Sequence, residues 1–176
     1  RSFNMGISKK AFEASGGFGK IHPGEDPDLS IRLWELGFET KLFTNAYVYH
    51  KRRIDWSKFY TQVNKFGKAR PILNNWYPKY SKITFYFPTV FLIGILISGI
   101  AAYFKFNALL IVFICYFQLL FIVALLQTKS LKIGIFAVLA SIIQFYGYGK
   151  GFLKSLILIQ ILKKEPKKVF PELFFK

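Results

Sequence analysis

Two regimes of hydrophobic patterning divide the chain near Lys82. Before it, apolar and polar residues alternate on short periods. Beyond it, residues 83–104 (ITFYFPTVFLIGILISGIAAYF) and 106–128 (FNALLIVFICYFQLLFIVALLQT) carry no charged side chain. At 1.5 Å per residue each run is long enough to cross a hydrocarbon core of roughly 30 Å, so both are expected as transmembrane helices. A third apolar run, residues 132–149, falls at the short end of the spanning range. The segment that follows, KGFLKSLILIQILKK, has an apolar core too short to cross alone, and it is expected as an interfacial helix over residues 151–162 with snorkelling lysines.

The polar segment reads as alternating short elements. Residues 1–7 (RSFNMGI) suit a strand, and SKKAFEAS suits a turn or two of helix with Ser8 as its cap. GGFGK then interrupts, its three glycines marking a loop that needs positive φ or a close approach. In HPGEDPDLSIRLWELG, the pattern predicts a helix with Asp26 in the cap position, Pro27 at the first helical position and Gly37 as terminator. FETKLFTNAYVYH, rich in aromatic and β-branched residues, suits a strand that ends at His50. Asp55 is a cap for WSKFYTQVNKFGKAR, which Pro71 is expected to break. The aromatic residues Trp76, Tyr77 and Tyr80 stand just before the first apolar run, where rings favour the headgroup zone. The division this predicts is a polar domain over residues 1–80 and a membrane domain over residues 81–176.

Charge changes the picture less than its size suggests. The net charge is +16, from 25 Lys and Arg against 9 Asp and Glu. In a soluble protein such an excess would point to nucleic acid; here it flanks apolar helices, where anionic headgroups and the positive-inside preference account for it. Nucleic acid is therefore not expected as a partner, and membrane lipids are. The single cysteine, Cys115, excludes a disulfide framework and a cysteine metal site, and reads as a small buried thiol. Because the chain opens on Arg1 with no signal peptide, it is expected to be the carboxy-terminal portion of a longer protein.

Candidate chemistry concentrates in three carboxylates, Glu25, Asp26 and Asp28, at the mouth of a predicted helix. Capping by Asp26 and a favourable dipole interaction for Asp28 account for two of them at around 0.3–1 kcal/mol each. Glu25 is left over, as is the glycine loop seven residues upstream. The other reading is that one carboxylate serves as a general base, held rigidly at a helix start.

The ordered motifs SGGFG, GEDPDLSIRL, YVYH and FYTQVNKFGKARP, followed by hydrophobic helices, resemble the carboxy-terminal half of an inverting family 2 glycosyltransferase of the GT-A fold. The branch most similar is the membrane-attached one that builds succinoglycan-like exopolysaccharides and other cell-envelope glycans. The resemblance covers residues 3 to about 90, and more loosely the helices to about 155. It implies an α/β fold class: the carboxy-terminal half of a Rossmann-like catalytic domain followed by transmembrane helices. Asp26 would then be the catalytic base, with Glu25 shaping the acceptor site. Gly16, Gly17, Asp28, Gln62 and Arg70 would contact substrate, and His50 would approach the donor diphosphate and its divalent metal, Mg or Mn. The main metal ligands are expected upstream of Arg1, so the isolated chain is expected to be inactive. Lys65 stands where the related pattern carries arginine, which weakens a phosphate contact there.

The activity implied is transfer of a sugar from a nucleotide-sugar donor to a glycan or lipid-linked acceptor, by a multi-pass cell-membrane protein with its catalytic part on the cytoplasmic side. Two rivals remain at this level: a non-enzymatic membrane protein whose basic domain binds a partner or anionic lipid, and a membrane-bound glycoside hydrolase, which would need a second essential acid. One tension is visible in the sequence itself. Three crossings would leave Lys163, Lys164, Lys167 and Lys168 on the side opposite the catalytic segment, against the positive-inside preference.

Overall fold

A computed structural model describes residues 4–49 and 55–175. His50 and the basic run Lys51–Arg53 lie outside the described residues. Helices dominate: α1 (Lys9–Ser15), α2 (Glu25–Glu35), α3 (Trp56–Trp76), α4 (Phe87–Tyr103), α5 (Ala108–Thr128), α6 (Leu131–Ser155) and the short α7 (Pro166–Val169). A π-helical segment, Leu156–Ile161, prolongs α6 without a break. Among the described residues there is no strand or sheet, only one antiparallel bridge between Ile21 and Phe174.

The α/β, Rossmann-like expectation is therefore corrected: the described chain is helical. Alternating side chains favour extended backbone, but a strand also needs a neighbour to take up its N–H and C=O groups. Residues 39–49 have no such strand partner among the described residues and lie exposed throughout, with Leu42 at 86% and Tyr49 at 94% of full exposure. Residues 4–7 fare no better; Asn4 makes one side-chain hydrogen bond, to the Ala46 carbonyl at 3.1 Å.

Local signals place the helix starts. Ser8 caps α1 by accepting a hydrogen bond from the Ala11 N–H, and Asp55 caps α3 by accepting from the Lys58 N–H at 2.7 Å. That bond, together with the Lys58 ammonium, holds the Asp55 carboxyl below its ordinary range. α2 begins two residues earlier than the Asp26 cap would have it. Gly24 takes the cap position at φ 132°, so Glu25, Asp26 and Asp28 all fall in the first turn, where the free N–H groups favour negative charge.

Pro71 does not end α3, which continues to Trp76. An internal proline costs roughly 3 kcal/mol or more in lost hydrogen bonding and ring clash. Here the ring is fully buried, between Ala69 and the buried pair Ile72 and Leu73, and that tertiary packing offsets the cost.

α3 and α6 run side by side in the same direction. Trp56 meets Phe136, Tyr60 stacks on Tyr146 with centroids 6.1 Å apart, Asn64 donates to the Gly147 carbonyl at 2.9 Å, and Gln160 donates to the Pro71 carbonyl at 3.2 Å. Glycines set how closely they approach. A Cβ on Gly67 would overlap the Tyr148 carbonyl oxygen, one on Gly151 would overlap the Asn64 carbonyl oxygen, and one on Gly147 would lie 2.7 Å from Val63. Small residues at such a crossing bring backbones into van der Waals contact, as in membrane helix pairs. This contact also explains why the apolar run 132–149 and the segment 151–162 form one helix: Gly147, Gly149 and Gly151 are turned against α3 and α4 and do not interrupt it.

Among the described residues, three helices are long and apolar enough to cross a membrane: Ile83–Tyr103, Ala108–Thr128 and Leu131–Ile161. Cys115 lies on the outer surface of α5 rather than in an interior. After α6 the chain turns back. Phe170 and Leu173 are fully buried against Ile21, Ala69, Ile72 and Ile159, forming a core that joins the tail to α3 and to the loop before α2. A second cluster, Ala11, Leu29 and Leu33, joins α1 to α2.

Gly67→Ala is expected to lower the stability of the detergent-solubilised protein by ~1–3 kcal/mol or more, because the new methyl group meets backbone rather than a movable side chain. Gly99→Ala, where nothing lies within 4 Å, should be neutral or gain up to ~1 kcal/mol of helix propensity. Thermal unfolding of the two variants side by side checks both.

Candidate active site

The first turn of α2 faces one flank of α3 across an open cavity of about 370 Å³. His22, Glu25 and Asp26 form one wall; Lys58, Thr61, Gln62, Lys65 and Phe66 form the other. The α3 residues recur at three- and four-residue steps, so a single helical face supplies that wall.

Glu25 is anchored at both oxygens. Oε2 accepts the Gly24 N–H at 2.9 Å, and Oε1 lies 2.8 Å from His22 Nδ1. The His22 side chain is in turn set by the tail. Its ring packs on Phe175 with centroids 5.6 Å apart, and its backbone N–H donates to the Leu173 carbonyl at 2.7 Å. Asp26 stands next along the wall, its carbonyl accepting from the Ser30 hydroxyl at 2.8 Å.

Asp28 points the other way. It is 4% exposed and receives the Arg32 guanidinium at 2.7 and 3.2 Å and the Tyr77 hydroxyl at 2.7 Å. Arg32 also donates to the carbonyls of Ser15 and Gly17. Gly16 and Gly17, both with positive φ near 72°, close α1 and present those carbonyls. The glycine loop, Arg32, Asp28 and Tyr77 thus form one hydrogen-bonded chain that fastens α1, α2 and the end of α3 together. Gly19 belongs to the same arrangement, since a Cβ there would overlap the Asp28 carboxylate.

Of the residues singled out in the sequence, the structure brings Glu25, Asp26 and Gln62 to the cavity. Gly16, Gly17 and Asp28 lie in the fastening network behind it. Arg70 stacks its guanidinium 4.1 Å above the Phe85 ring, away from the cavity lining. His50 lies outside the described residues. The cavity also holds His22, Lys58 and Thr61, to which the sequence assigns no role, and Lys65, at which the sequence weakens a phosphate contact. Their signal was present in the three- and four-residue recurrence along α3 and in the His22–Glu25 spacing, but only the approach of α3 to α2 makes it a site.

Chemically, the cavity sets carboxylates opposite ammonium groups. Glu25 and Asp26 can accept a proton or orient a sugar hydroxyl; Lys58 and Lys65 attract an anion; Thr61 and Gln62 can hydrogen-bond neutral polar groups. Among the described residues, no three ligating side chains converge to hold a metal ion. The described residues thus supply no three-ligand site for the divalent ion that the family resemblance implies.

Burial raises the Tyr77 hydroxyl to a pKa of about 12, with its hydrogen bond to Asp28 and that group's charge adding to the effect. Because the folded value lies above the ordinary 10.0, the associated stability is present below pH 10 and is lost as pH rises towards 12. Tyr77→Phe should start less stable and lack this alkaline decline, which urea unfolding from pH 8 to 12 would show. Arg32→Met should cost ~3–5 kcal/mol, since it leaves the Asp28 carboxylate buried without its cation; the same unfolding assay at neutral pH measures it.

No curated protein and no solved structure matches this chain. A family model does, over residues 3–128, and it is described as glycosyl transferase family group 2. That match spans α1 to α5, the cavity and the fastening network included, and covers well over half of the chain. The chain belongs to glycosyl transferase family group 2.

Proposed function

We propose that the cavity between α2 and α3 is the acceptor side of an inverting sugar-transfer site, with Asp26 as the general base. The donor is a nucleotide-activated sugar. The acceptor is a glycan or lipid-linked sugar used in building the cell envelope or an exopolysaccharide, and the site faces the cytoplasm. What carries the reading is one juxtaposition: Asp26 and Glu25 share a cavity with Gln62 and two lysines, inside the segment matched by the family model.

The step is a single displacement. A hydroxyl oxygen of the acceptor forms its bond to the anomeric carbon while its proton passes to the Asp26 carboxylate. The bond from that carbon to the diphosphate oxygen breaks on the opposite face, and the electron pair leaves with the nucleoside diphosphate. Configuration at the anomeric carbon is inverted. Glu25, fixed by Gly24 and His22, orients the acceptor, and Gln62 and Thr61 offer further hydrogen bonds. Lys58 and Lys65 place positive charge on the wall facing the carboxylates, where it offsets charge on the departing phosphate. One essential base is enough for this step, whereas a hydrolase would need a second acid at a set separation.

In the protein expressed from its complete gene, Asp26→Asn should lower kcat for sugar transfer by about 10²- to 10⁴-fold, the usual contribution of a general base. Glu39→Gln, an exposed position outside the cavity, is the control. Transfer from a radiolabelled nucleotide sugar to membrane glycolipid measures both. Undiminished transfer by Asp26→Asn would overturn the assignment and favour a binding role for the basic domain.

A further inference from the structure

The tail that follows the three apolar helices is bonded to the loop that precedes them. The Phe175 N–H donates to the Lys20 carbonyl at 2.9 Å and the His22 N–H donates to the Leu173 carbonyl at 2.7 Å, with Ile21 and Leu173 fully buried between. Residues 20–22 and 173–175 therefore lie on the same side of any membrane. An odd number of crossings cannot produce this. Three helices qualify by length and composition, so at least one of them does not cross.

Packing identifies which. α6 is the least apolar of the three. From Phe136 to Gln160 it carries α3 along its length, in contact through glycine and through hydrogen bonds to its backbone. α3 is a polar helix. It opens on the Asp55–Lys58 ion pair at 3.0 Å, beside the Trp56–Phe136 contact, and its outer face forms the lysine-bearing wall of the active-site cavity. If residues 131–150 spanned the hydrocarbon, Phe136 would sit deep near the far surface and would draw the Asp55–Lys58 pair in with it. Charged groups within the bilayer are costly and are tolerated where they face a bundle interior or an aqueous cavity. Lys58 is 78% exposed on the wall of the α2–α3 cavity, so this placement would carry the Asp55–Lys58 pair and that cavity, with the polar α3, to membrane depth, which argues against it.

The contacts of α4 and α5 fit the alternative. The entry to α4 meets the second half of α6, Tyr86 against Phe152 at 4.9 Å and Phe91 against Phe145 at 4.0 Å. The second half of α5 meets its first turns, where a Cβ on Gly134 would lie 2.9 Å from the Phe121 ring. The first turns of α4 and the middle and second half of α5, where Tyr116 also meets Phe145 at 6.2 Å, are thus found along one helix, as they would be if α6 crossed an α4–α5 hairpin steeply near one membrane surface.

We propose that α4 and α5 cross the membrane as a helical hairpin while α6 lies with α3 at the headgroup level on the active-site side, its lysines meeting anionic lipid. This goes beyond the sugar-transfer reading and does not depend on it. Lys129, Lys132, Lys150, Lys154 and the four tail lysines then share one side, and Lys105 alone, between α4 and α5, lies opposite. That distribution follows the positive-inside preference and removes the tension a threefold crossing creates.

Single cysteines at Lys9, Lys105, Lys132 and Lys167, placed in the complete protein after its native cysteines, Cys115 included, are changed to serine, test the arrangement. Intact cells are treated with a membrane-impermeant maleimide before and after permeabilisation. Lys105→Cys is expected to label in intact cells, whereas Lys9→Cys, Lys132→Cys and Lys167→Cys should label only once the membrane is opened. Labelling of Lys132→Cys together with Lys105→Cys would show that α6 crosses. Labelling of Lys167→Cys from the side opposite to Lys9→Cys, or of Lys105→Cys from the same side as Lys9→Cys, would equally overturn the proposal. No outcome depends on transferase activity.

Discussion

The rest of the structure depends on the close approach of α3 to α6. Gly67 on one helix and Gly147 and Gly151 on the other let two backbones touch where any side chain would hold them apart. Once they touch, dispersion contacts accumulate along the pair, and polar groups such as Asn64 and Gln160 reach carbonyls on the opposite helix. A polar helix is thereby locked to an apolar one. The cavity wall on α3 takes its position from this lock, and so does the groove that receives the tail.

The opposite wall is held by different physics. Asp28 is an ion buried with its partners: a guanidinium on the same helix and a phenol from the end of α3. Removing two charges from water is tolerable only when their hydrogen-bonding capacity is met, and here the guanidinium is also occupied by two loop carbonyls. The three carboxylates of one helical turn thus divide their work. Asp28 builds the frame, Glu25 is braced by His22 and Gly24, and Asp26 faces the cavity between them and α3.

How much of this was legible in the sequence follows from how local each cause is. Ser8 and Asp55 cap the helices expected of them, and the charge-free runs became apolar helices, because a cap or an apolar run needs no distant partner. Pro71 was misleading, since its cost is local while the burial that offsets it is tertiary. The strand expected over residues 38–50 rested on alternation alone, and alternation does not supply the second backbone. The role of Asp28 could not be read from spacing, because Tyr77 arrives from the far end of the next helix. Of the residues singled out through the resemblance to glycosyltransferases, Asp26, Glu25 and Gln62 line one cavity while Gly16, Gly17, Asp28 and Arg70 do not, and the fold class it implied does not hold for the described residues.

The bridge between Ile21 and Phe174 ties the two ends of the described chain. Contacts so distant in sequence form late, because the entropy of closing the loop must be met before they contribute. During synthesis, α1, α2 and the hairpin emerge from the ribosome long before Phe170, Leu173 and Phe175 exist. The nascent protein therefore enters the bilayer with its His22 loop unclamped, and the wall that carries Glu25 and Asp26 is completed only after residues 170–175 have been made.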